Sequence, residues 1–269
     1  MDRGSIRRLF NPAGAEFLAA HYTHHEFQPH WHDAWAVGVV LKGAHDNSAR
    51  HNGSGVVTQG QVTLIEPGQL HAGRAIGSAP CQYLMLYLPE RLLNDAECWH
   101  QGPRSVVQRQ GFYAPKLAEG LLAASRLESA SGLHAEVIWS NLINEFVSEV
   151  TGFCVREQIG GVRSVNRAAK LARQYLHDNL GNAFSLDQLA HAAGISKYHL
   201  CRLFTASFGL APQQYLRQIR VQHARDLLRG TASLSDVALQ SGFADQSHLG
   251  RAFKRAYGVT PGAYAAATK

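Results

Sequence analysis

The sequence predicts an α+β protein with a β-rich N-terminal part, a helical middle and an all-α C-terminal part of two helix-turn-helix motifs. Three observations support this division. Short apolar segments separated by glycine and proline extend from residue 21 to about residue 88. Apolar residues then recur at helical spacing between residues 115 and 150. From residue 185 to residue 261, one helical unit occurs twice.

The N-terminal strands are predicted from β-branched and apolar segments that end at turn residues. The segment 35–41 ends at Lys42-Gly43, and further apolar segments cover residues 62–65 and 83–88. Asn52-Gly53 is a strong β-hairpin pattern. Many short strands separated by such turns are typical of a small barrel or jelly roll.

Histidine is concentrated in this β-rich part, since nine of the 15 histidines lie at or before residue 100. His30 and His32 are two residues apart, which places both rings on one face of a strand. His71 follows the turn Pro67-Gly68. Adjacent imidazoles are a credible start for a Zn²⁺, Fe²⁺ or Ni²⁺ site. The alternative is that these histidines are hydrogen-bonded or line a metal-free pocket.

The middle of the chain is predicted to form two helices. Leu117, Leu121 and Leu122 indicate the first helix, and an apolar stripe indicates the second. The stripe consists of Leu142, Ile143, Phe146, Val147 and Val150. It either packs against the strands or forms a dimer interface, and both can hold on different faces of the helix.

The C-terminal repeat has the pattern of a helix-turn-helix in both copies, Ser185 to Pro212 and Ser233 to Pro261. Each copy begins with a serine that can cap a helix, reaches a glycine at the turn and continues into a second helix. The copies align at an offset of 48 residues before that glycine and 49 residues after it. Two helical hairpins packing a core would also show this pattern. Basic and amide side chains on the outer faces favour insertion into the DNA major groove instead.

At these residues the chain resembles the AraC/XylS family of bacterial transcription regulators. The similarity covers residues 165–265, including the doubled motif and a connecting helix at 213–229. Residues 242–254 (Gly-Phe-Ala-Asp-Gln-Ser-His-Leu-Gly-Arg-Ala-Phe-Lys) and 257–261 (Tyr-Gly-Val-Thr-Pro) resemble the family's signature. The resemblance implies two motifs that are joined by one long helix and dock in successive major grooves of promoter DNA.

The two second helices carry the predicted DNA contacts. Arg202 and Arg251 occupy equivalent outward positions. The resemblance assigns to the groove-facing surface Tyr198, Cys201 and Arg202 in the first motif, and Gln246, Ser247 and Arg251 in the second. Thr205 lies on the same outer face. Lys197 and Lys254 are predicted to meet phosphates, with an effect that depends on salt and not on base sequence.

The histidine-rich segment resembles the cupin fold, which is the sensor in many AraC-type regulators. The matching segments are residues 29–33 (Pro-His-Trp-His-Asp) and residues 60–71, which end in Glu-Pro-Gly-Gln-Leu-His. The resemblance implies a cupin-like β-barrel whose interior binds a small-molecule effector. The residues expected to line this interior are His30, His32, Trp35 and His71.

The cupin resemblance also implies a divalent metal, Zn, Fe or Ni, as the possible cofactor. Its ligands would be His30, His32 and His71. Metal-binding cupins usually add a glutamate shortly after the histidine pair, but this chain has Ala36 and Val37 at those places. Glu26 or His25 is the alternative additional ligand.

These features divide the chain into four parts. We predict a cupin-like sensor barrel at 1–100, a helical dimerisation segment at 101–159, a linker at 160–164 and a DNA-binding domain at 165–269. The linker is predicted from Gly160-Gly161 and the polar residues that follow. A helix from about residue 166 to residue 180 is predicted to open the DNA-binding domain.

The charge of the chain is unevenly divided. The whole sequence carries a net charge of +6, but residues 161–269 hold 14 Lys and Arg against 5 Asp and no Glu, which gives +9. A basic part joined to a slightly acidic part is typical of a DNA-binding domain attached to a domain of another kind. Membrane surfaces also attract basic charge, but no segment approaches the ~18 apolar residues of a membrane helix.

The expected location is the cytoplasm. The four cysteines, at positions 81, 98, 154 and 201, show no Cys-x-x-Cys spacing and indicate a reducing compartment. Residues 1–18 lack the sustained apolar segment of a signal peptide.

The function expected from all these features is a ligand-responsive, sequence-specific transcription regulator. It would act as a homodimer on double-stranded promoter DNA, would contact RNA polymerase if it is an activator, and would not be an enzyme. The alternatives are a cupin metalloenzyme that carries a DNA-binding domain and an architectural DNA-binding protein with a degenerate barrel.

Overall fold

The computed structural model describes residues 3–8, 14–49, 55–93, 108–127, 133–154, 166–182 and 184–268. The chain forms two compact units, Met1–Gly160 and Gly161–Lys269. The predicted linker, residues 160–164, lies outside the described residues. In the described part of the chain, no helix is long and apolar enough to cross a membrane.

The described part of the first unit begins with antiparallel strands and a short 3-10 helix at Glu90–Leu93. The strands are β1 (Arg3–Arg8), β2 (Glu16–Tyr22), β3 (Glu26–His30), β4 (Trp35–Lys42), β5 (Ala44–Asp46), β6 (Val56–Thr58), β7 (Val62–Ile65), β8 (His71–Ala75), β9 (Cys81–Leu88) and β10 (Gln108–Phe112).

These strands form two sheets that face each other. The larger sheet has the order β1-β2-β9-β4-β7-β10, and the smaller sheet has the order β3-β8-β5-β6. Aromatic rings of the two sheets contact each other. The ring centroids of Tyr83 in the larger sheet and His45 in the smaller sheet are 5.0 Å apart. Two facing antiparallel sheets agree with the predicted jelly-roll type of β-domain.

The sheets extend beyond the predicted segment at both ends. Strand β1 and most of β2 precede residue 21, and β10 lies in the segment that was predicted to be helical. The sequence of β10, Gln-Arg-Gln-Gly-Phe, has no apolar alternation, and its pairing with Val62 and Ile65 of β7 makes it a strand. Polar edge strands of this kind resist pairing with other chains. The predicted hairpin at Asn52-Gly53 lies outside the described residues.

Two helices, α1 (Pro115–Ser125) and α2 (Leu133–Cys154), cover the outer face of the larger sheet. Leu142, Phe146, Val147 and Val150 of α2 are buried in one core with side chains of β4 and β9. The apolar stripe of α2 therefore packs against the sheet within one chain. The prediction that this stripe forms a dimer interface is wrong, because the sheet of the same chain already covers these side chains.

The described part of the second unit is all-α. Its helices are α3 (Arg167–Asp178), α4 (Leu186–Ala193), α5 (Lys197–Phe208), α6 (Pro212–Leu228), α7 (Leu234–Gln240), α8 (Gln246–Tyr257) and α9 (Pro261–Thr268). The pairs α4–α5 and α7–α8 are the two predicted helix-turn-helix motifs, and α6 is the long helix that connects them. The opening helix α3 begins at the Asn166 cap, as predicted.

Local sequence accounts for the two turns. The Ser185 hydroxyl accepts a hydrogen bond from the Gln188 amide, and the Ser233 hydroxyl accepts one from the Asp236 amide. Gly242 has a φ of +75°, and a Cβ there would lie 2.8 Å from the carbonyl oxygen of Leu180. Glycine is therefore required at the second turn both for its backbone conformation and for the close approach of the segment that follows α3.

Candidate nucleic-acid interface and histidine cluster

Helix α5 presents the predicted contacts of the first motif on its outer side. Leu200 and Phe204 are fully buried beneath the helix. On the opposite side Lys197, Tyr198, Arg202 and Thr205 are exposed, and Cys201 is half-buried. The Tyr198 side chain is 77% exposed, so a large aromatic ring is available to a partner.

Helix α8 repeats this arrangement in the second motif. The Asp245 carboxylate accepts a hydrogen bond from the His248 amide at 2.6 Å and caps the helix. Leu249 and Phe253 are fully buried, and the exposed side carries Gln246, Ser247, Arg251 and Lys254. Arg202 and Arg251 are thus both exposed on equivalent helices.

The two outer faces differ in charge. The Lys197 amine of α5 lies 2.9 Å from an Asp187 carboxylate oxygen, and both side chains are more than half exposed. Such a pair contributes little to stability, but it reduces the positive charge near α5. Helix α8 adds Arg255, an exposed residue that the sequence analysis did not select, next to Lys254. Helix α8 therefore carries three exposed cationic side chains against two on α5, although Asp236 and Asp245 leave the second motif with the same net charge of +1 as the first.

The structure brings His30, His32 and His71 together between the two sheets. His30 and His71 are register partners on the adjacent strands β3 and β8, and His32 follows β3 by two residues. The ring centroids lie 4.3 Å apart for His30 and His71, 4.8 Å for His30 and His32, and 5.0 Å for His32 and His71. All three side chains are buried.

Backbone carbonyls set the tautomers of two of these rings. The Nδ1–H of His30 donates to the Gln28 carbonyl at 2.6 Å, and the Nδ1–H of His71 donates to the Gln69 carbonyl at 2.9 Å. A carbonyl only accepts, so the proton lies on Nδ1 and the lone pair remains on Nε2. Burial lowers the pKa of His71 to about 4. Burial and the nearby His71 ring lower the pKa of His30 well below its ordinary value.

This donor set fits a transition metal. One ring nitrogen from each of His30, His32 and His71 lies within 4.8 Å of the others, and no further His, Cys, Asp or Glu of the described residues joins the group. Neutral imidazoles suit Zn, Fe or Ni, whereas Mg and Ca prefer oxygen ligands. Metal-ligating histidines typically donate their other N–H to a carbonyl or carboxylate, as two of these rings do.

Three predictions about this cluster are wrong. The His25 ring packs on Tyr22 and Phe27, with centroids 4.8 and 4.4 Å away, and Glu26 is exposed, so neither is the additional ligand. Trp35 does not line the cluster. Its ring packs edge-on against Phe146 of α2, 5.3 Å away, because alternation along β4 directs it to the helix-covered face of the sheet.

Two protein families match the chain, one in each of its two compact units. Residues 12–143 match the AraC-like ligand binding domain, and residues 189–267 match a helix-turn-helix domain. The chain belongs to the AraC family. Together the two matches cover the histidine cluster, α5 and α8.

Relatives of this AraC-type protein are transcription regulators. The HTH-type transcriptional activator RhaR of Yersinia pseudotuberculosis is 26% identical over 258 residues, which cover 90% of this chain and 86% of RhaR. The HTH-type transcriptional regulator YbfI of Bacillus subtilis is 26% identical over 228 residues, covering 83% of this chain and 82% of YbfI. These relationships support a regulator over a metalloenzyme that carries a DNA-binding domain.

Solved structures of ToxT from Vibrio cholerae share the fold of this AraC-type chain. An apo ToxT structure has a TM-score of 0.57 and 16% identity, and the match covers 94% of this chain and 98% of ToxT. ToxT bound to an unsaturated fatty acid has a TM-score of 0.55 and 14% identity, with 98% and 94% of the two chains covered.

The sensor domain of this AraC-type regulator contains further rings between the sheets that could not be assigned from the sequence. Tyr83 and Tyr87 of β9 point between the sheets, with Tyr83 beside His45 and Tyr87 4.7 Å from His32. The His45 Nδ1–H donates to the Asn47 side-chain oxygen at 2.6 Å. The alternation Tyr83, Met85, Tyr87 was present in the sequence, but both faces of β9 are apolar and the pattern alone does not show which face is internal.

Proposed function

We propose that this AraC-type regulator reads promoter DNA with α5 and α8, and that the histidine cluster between its two sheets senses a small-molecule effector. The observation that carries the first part is the equivalence of Arg202 and Arg251, which are exposed on the outer faces of two capped, matching helices. An α-helix fits the major groove, where an arginine can donate two hydrogen bonds to one guanine.

The remaining exposed residues complete this interface with different kinds of contact. Gln246 suits adenine, which offers one donor and one acceptor in the major groove. The Tyr198 ring and Cys201 suit the thymine methyl group, since both present apolar atoms. Lys254 and Arg255 suit phosphates, which position the helix without reading the sequence.

The sensory part of the proposal rests on the chemistry of the cluster. His30 and His71 are buried, neutral, and held with their Nε2 lone pairs free of the backbone hydrogen bonds that bind Nδ1. Such acceptors bind either a divalent metal or the donor groups of an oxygen-bearing effector. Effector binding would change DNA affinity through a coupling free energy, typically about 1–3 kcal/mol.

We further propose that the regulator acts as a homodimer. If it is an activator, it would also contact RNA polymerase. The solvent-facing side of α2 is the surface that we propose for dimerisation, because the other side is covered by the sheet. It carries Val137, which is 49% exposed, with Asn141, Asn144 and Ser148 along the same stripe. A dimer would present four helix-turn-helix motifs and favour repeated half-sites.

Selection of DNA fragments by the purified full chain tests this function. The selected fragments are sequenced after binding with and without candidate small molecules. A shared motif of two half-sites, enriched differently when an effector is present, is the expected result. Selection of fragments without a common motif would contradict sequence-specific regulation and favour an architectural role.

A further inference from the structure

The three histidines supply three nitrogen donors, but Zn²⁺ and similar ions usually take at least four ligands. Among the described residues, no carboxylate or cysteine approaches the cluster closely enough to join it. Tyr87 is the oxygen-bearing side chain whose contact with the cluster is clearest. Its ring centroid lies 4.7 Å from that of His32, with an angle of 63° between the rings.

The backbone directs Tyr87 toward the cluster. Leu86 and Leu88, its neighbours on β9, belong to the core beneath the helices, so strand alternation sends Tyr87 to the opposite, internal face. Its register partner on β4 is Ala36. The alanine methyl group is small, so the phenol ring has a small neighbour on the internal face of the sheet. Tyr87 is also less buried than the three histidines.

We propose that Tyr87 is the fourth ligand of a divalent transition-metal centre whose other ligands are His30, His32 and His71. This inference rests on the proposed function only in treating the cluster as the sensory site. Three neutral imidazoles and one phenolate suit Zn²⁺, Ni²⁺, Fe²⁺ or Cu²⁺. When the metal binds, the phenol oxygen forms the metal bond and its proton passes to the solvent.

This centre would connect the two sheets. His30 and His71 belong to β3 and β8 of the smaller sheet, whereas Tyr87 belongs to β9 of the larger sheet. The ligand nitrogens lie up to 4.8 Å apart, and a tetrahedral site with bonds of about 2.1 Å needs them about 3.4 Å apart. Metal binding would therefore draw the rings inward and hold the sheets together, so the metal-bound chain should be more resistant to unfolding.

Copper provides a direct spectroscopic test of the fourth ligand. The full chain, stripped of metal by a chelator, is titrated with Cu²⁺ and its visible absorption is recorded. The expected result is one equivalent of Cu²⁺ and a phenolate-to-copper charge-transfer band. Tyr87→Phe should lose this band. The matched control is Tyr83→Phe, two residues earlier on the same face of β9, which should keep it. A band that persists in Tyr87→Phe, or disappears equally in Tyr83→Phe, overturns the proposal.

Zinc affinity and thermal unfolding provide the second test. Zn²⁺ should raise the unfolding temperature of the wild-type chain, and Tyr87→Phe should weaken Zn²⁺ binding by about tenfold or more. The unfolding temperatures of the metal-free variants show whether each remains folded. If the metal-free wild-type chain takes up less than a tenth of an equivalent of Zn²⁺ or Cu²⁺, the centre does not exist. Binding of selected DNA by the metal-free and the metal-loaded chain is measured in parallel, because its absence from both contradicts the proposed function and not the metal centre.

Discussion

His30 and His71 face each other as register partners on paired strands, with ring centroids 4.3 Å apart and each Nδ1–H bound to the carbonyl two residues earlier in the chain. Two rings held in the same tautomer form a rigid pair of acceptors. They lie between the two sheets of the first compact unit, whereas the predicted DNA contacts on α5 and α8 belong to the second unit, and this supports the proposal that they sense the effector.

The double substitution His30→Ala with His71→Ala should abolish the response to effector and leave basal DNA binding largely unchanged. The physical reason is that both acceptor nitrogens are removed from one compact unit, whereas α5 and α8 belong to the other. DNA affinity is measured with and without effector. The control is His24→Ala, which removes an exposed imidazole. A double variant that is folded and still responds normally would show that the effector binds elsewhere.

Arg202→Ala and Arg251→Ala should each weaken specific DNA binding by about 1–3 kcal/mol, because each removes a two-bond contact with one base. Binding to a selected fragment is measured by titration at fixed salt concentration. Arg126→Ala removes an exposed arginine from the sensor unit and is the charge-matched control. Equal losses in all three variants would indicate only a general effect of charge.

Lys254→Ala should weaken DNA binding alike for all sequences. The slope of the logarithm of the binding constant against the logarithm of the salt concentration should become shallower by about one unit. Lys197→Ala should have the smaller effect, since the Lys197 amine is already paired with Asp187 at 2.9 Å. Affinities across a series of salt concentrations give both slopes. A larger change for Lys197 would mean that DNA breaks this ion pair.

Phe146→Ala should reduce the free energy of unfolding by about 3–5 kcal/mol, because it leaves a cavity against Trp35 in the helix-covered core. Val137→Ala, on the exposed side of the same helix, should change it by less than about 0.5 kcal/mol. Denaturant titration measures both. Similar values for the two variants would contradict the observed orientation of α2.

Gly242→Ala should destabilise the DNA-binding unit by more than about 1 kcal/mol, since φ is +75° and the new methyl group would meet the Leu180 carbonyl. Gly250 provides the matched control, because it lies within α8 and a Cβ there meets no atom within 4 Å. Gly250→Ala should stabilise the helix by about 0.5–1 kcal/mol. Thermal unfolding of both variants decides the comparison.

The helix-turn-helix motifs were predictable because their determinants are local. The serine caps, the turn glycines and the apolar residues three and four apart all lie within one motif, and each acts on its own neighbours in the chain. The meeting of His30, His32 and His71 depended on long-range pairing of β3 with β8. Period-two alternation predicted the pair His30 and His32, and the cupin resemblance supplied His71.

The remaining features depend on which layer covers which face. Every residue from Trp35 to Val40 is buried, so the sequence of β4 does not distinguish the internal face from the helix-covered face. The error for Trp35 and the omission of Tyr87 have this one cause. The α2 stripe raised the same ambiguity, since an apolar helix face predicts burial but does not identify the surface that covers it. Strand β10 was missed because only its partner β7 makes it a strand.

The central claim is that α5 and α8 read two separate sites on one DNA fragment, and base-preference mapping of the two arginine variants tests it most directly. Fragments selected by wild type, Arg202→Ala and Arg251→Ala are sequenced and compared position by position. The account predicts that each variant loses preference at one base pair, and that the two positions lie about one helical turn, roughly 10 base pairs, apart. Loss of preference at the same position in both variants, or unchanged preferences in both folded variants, would contradict it.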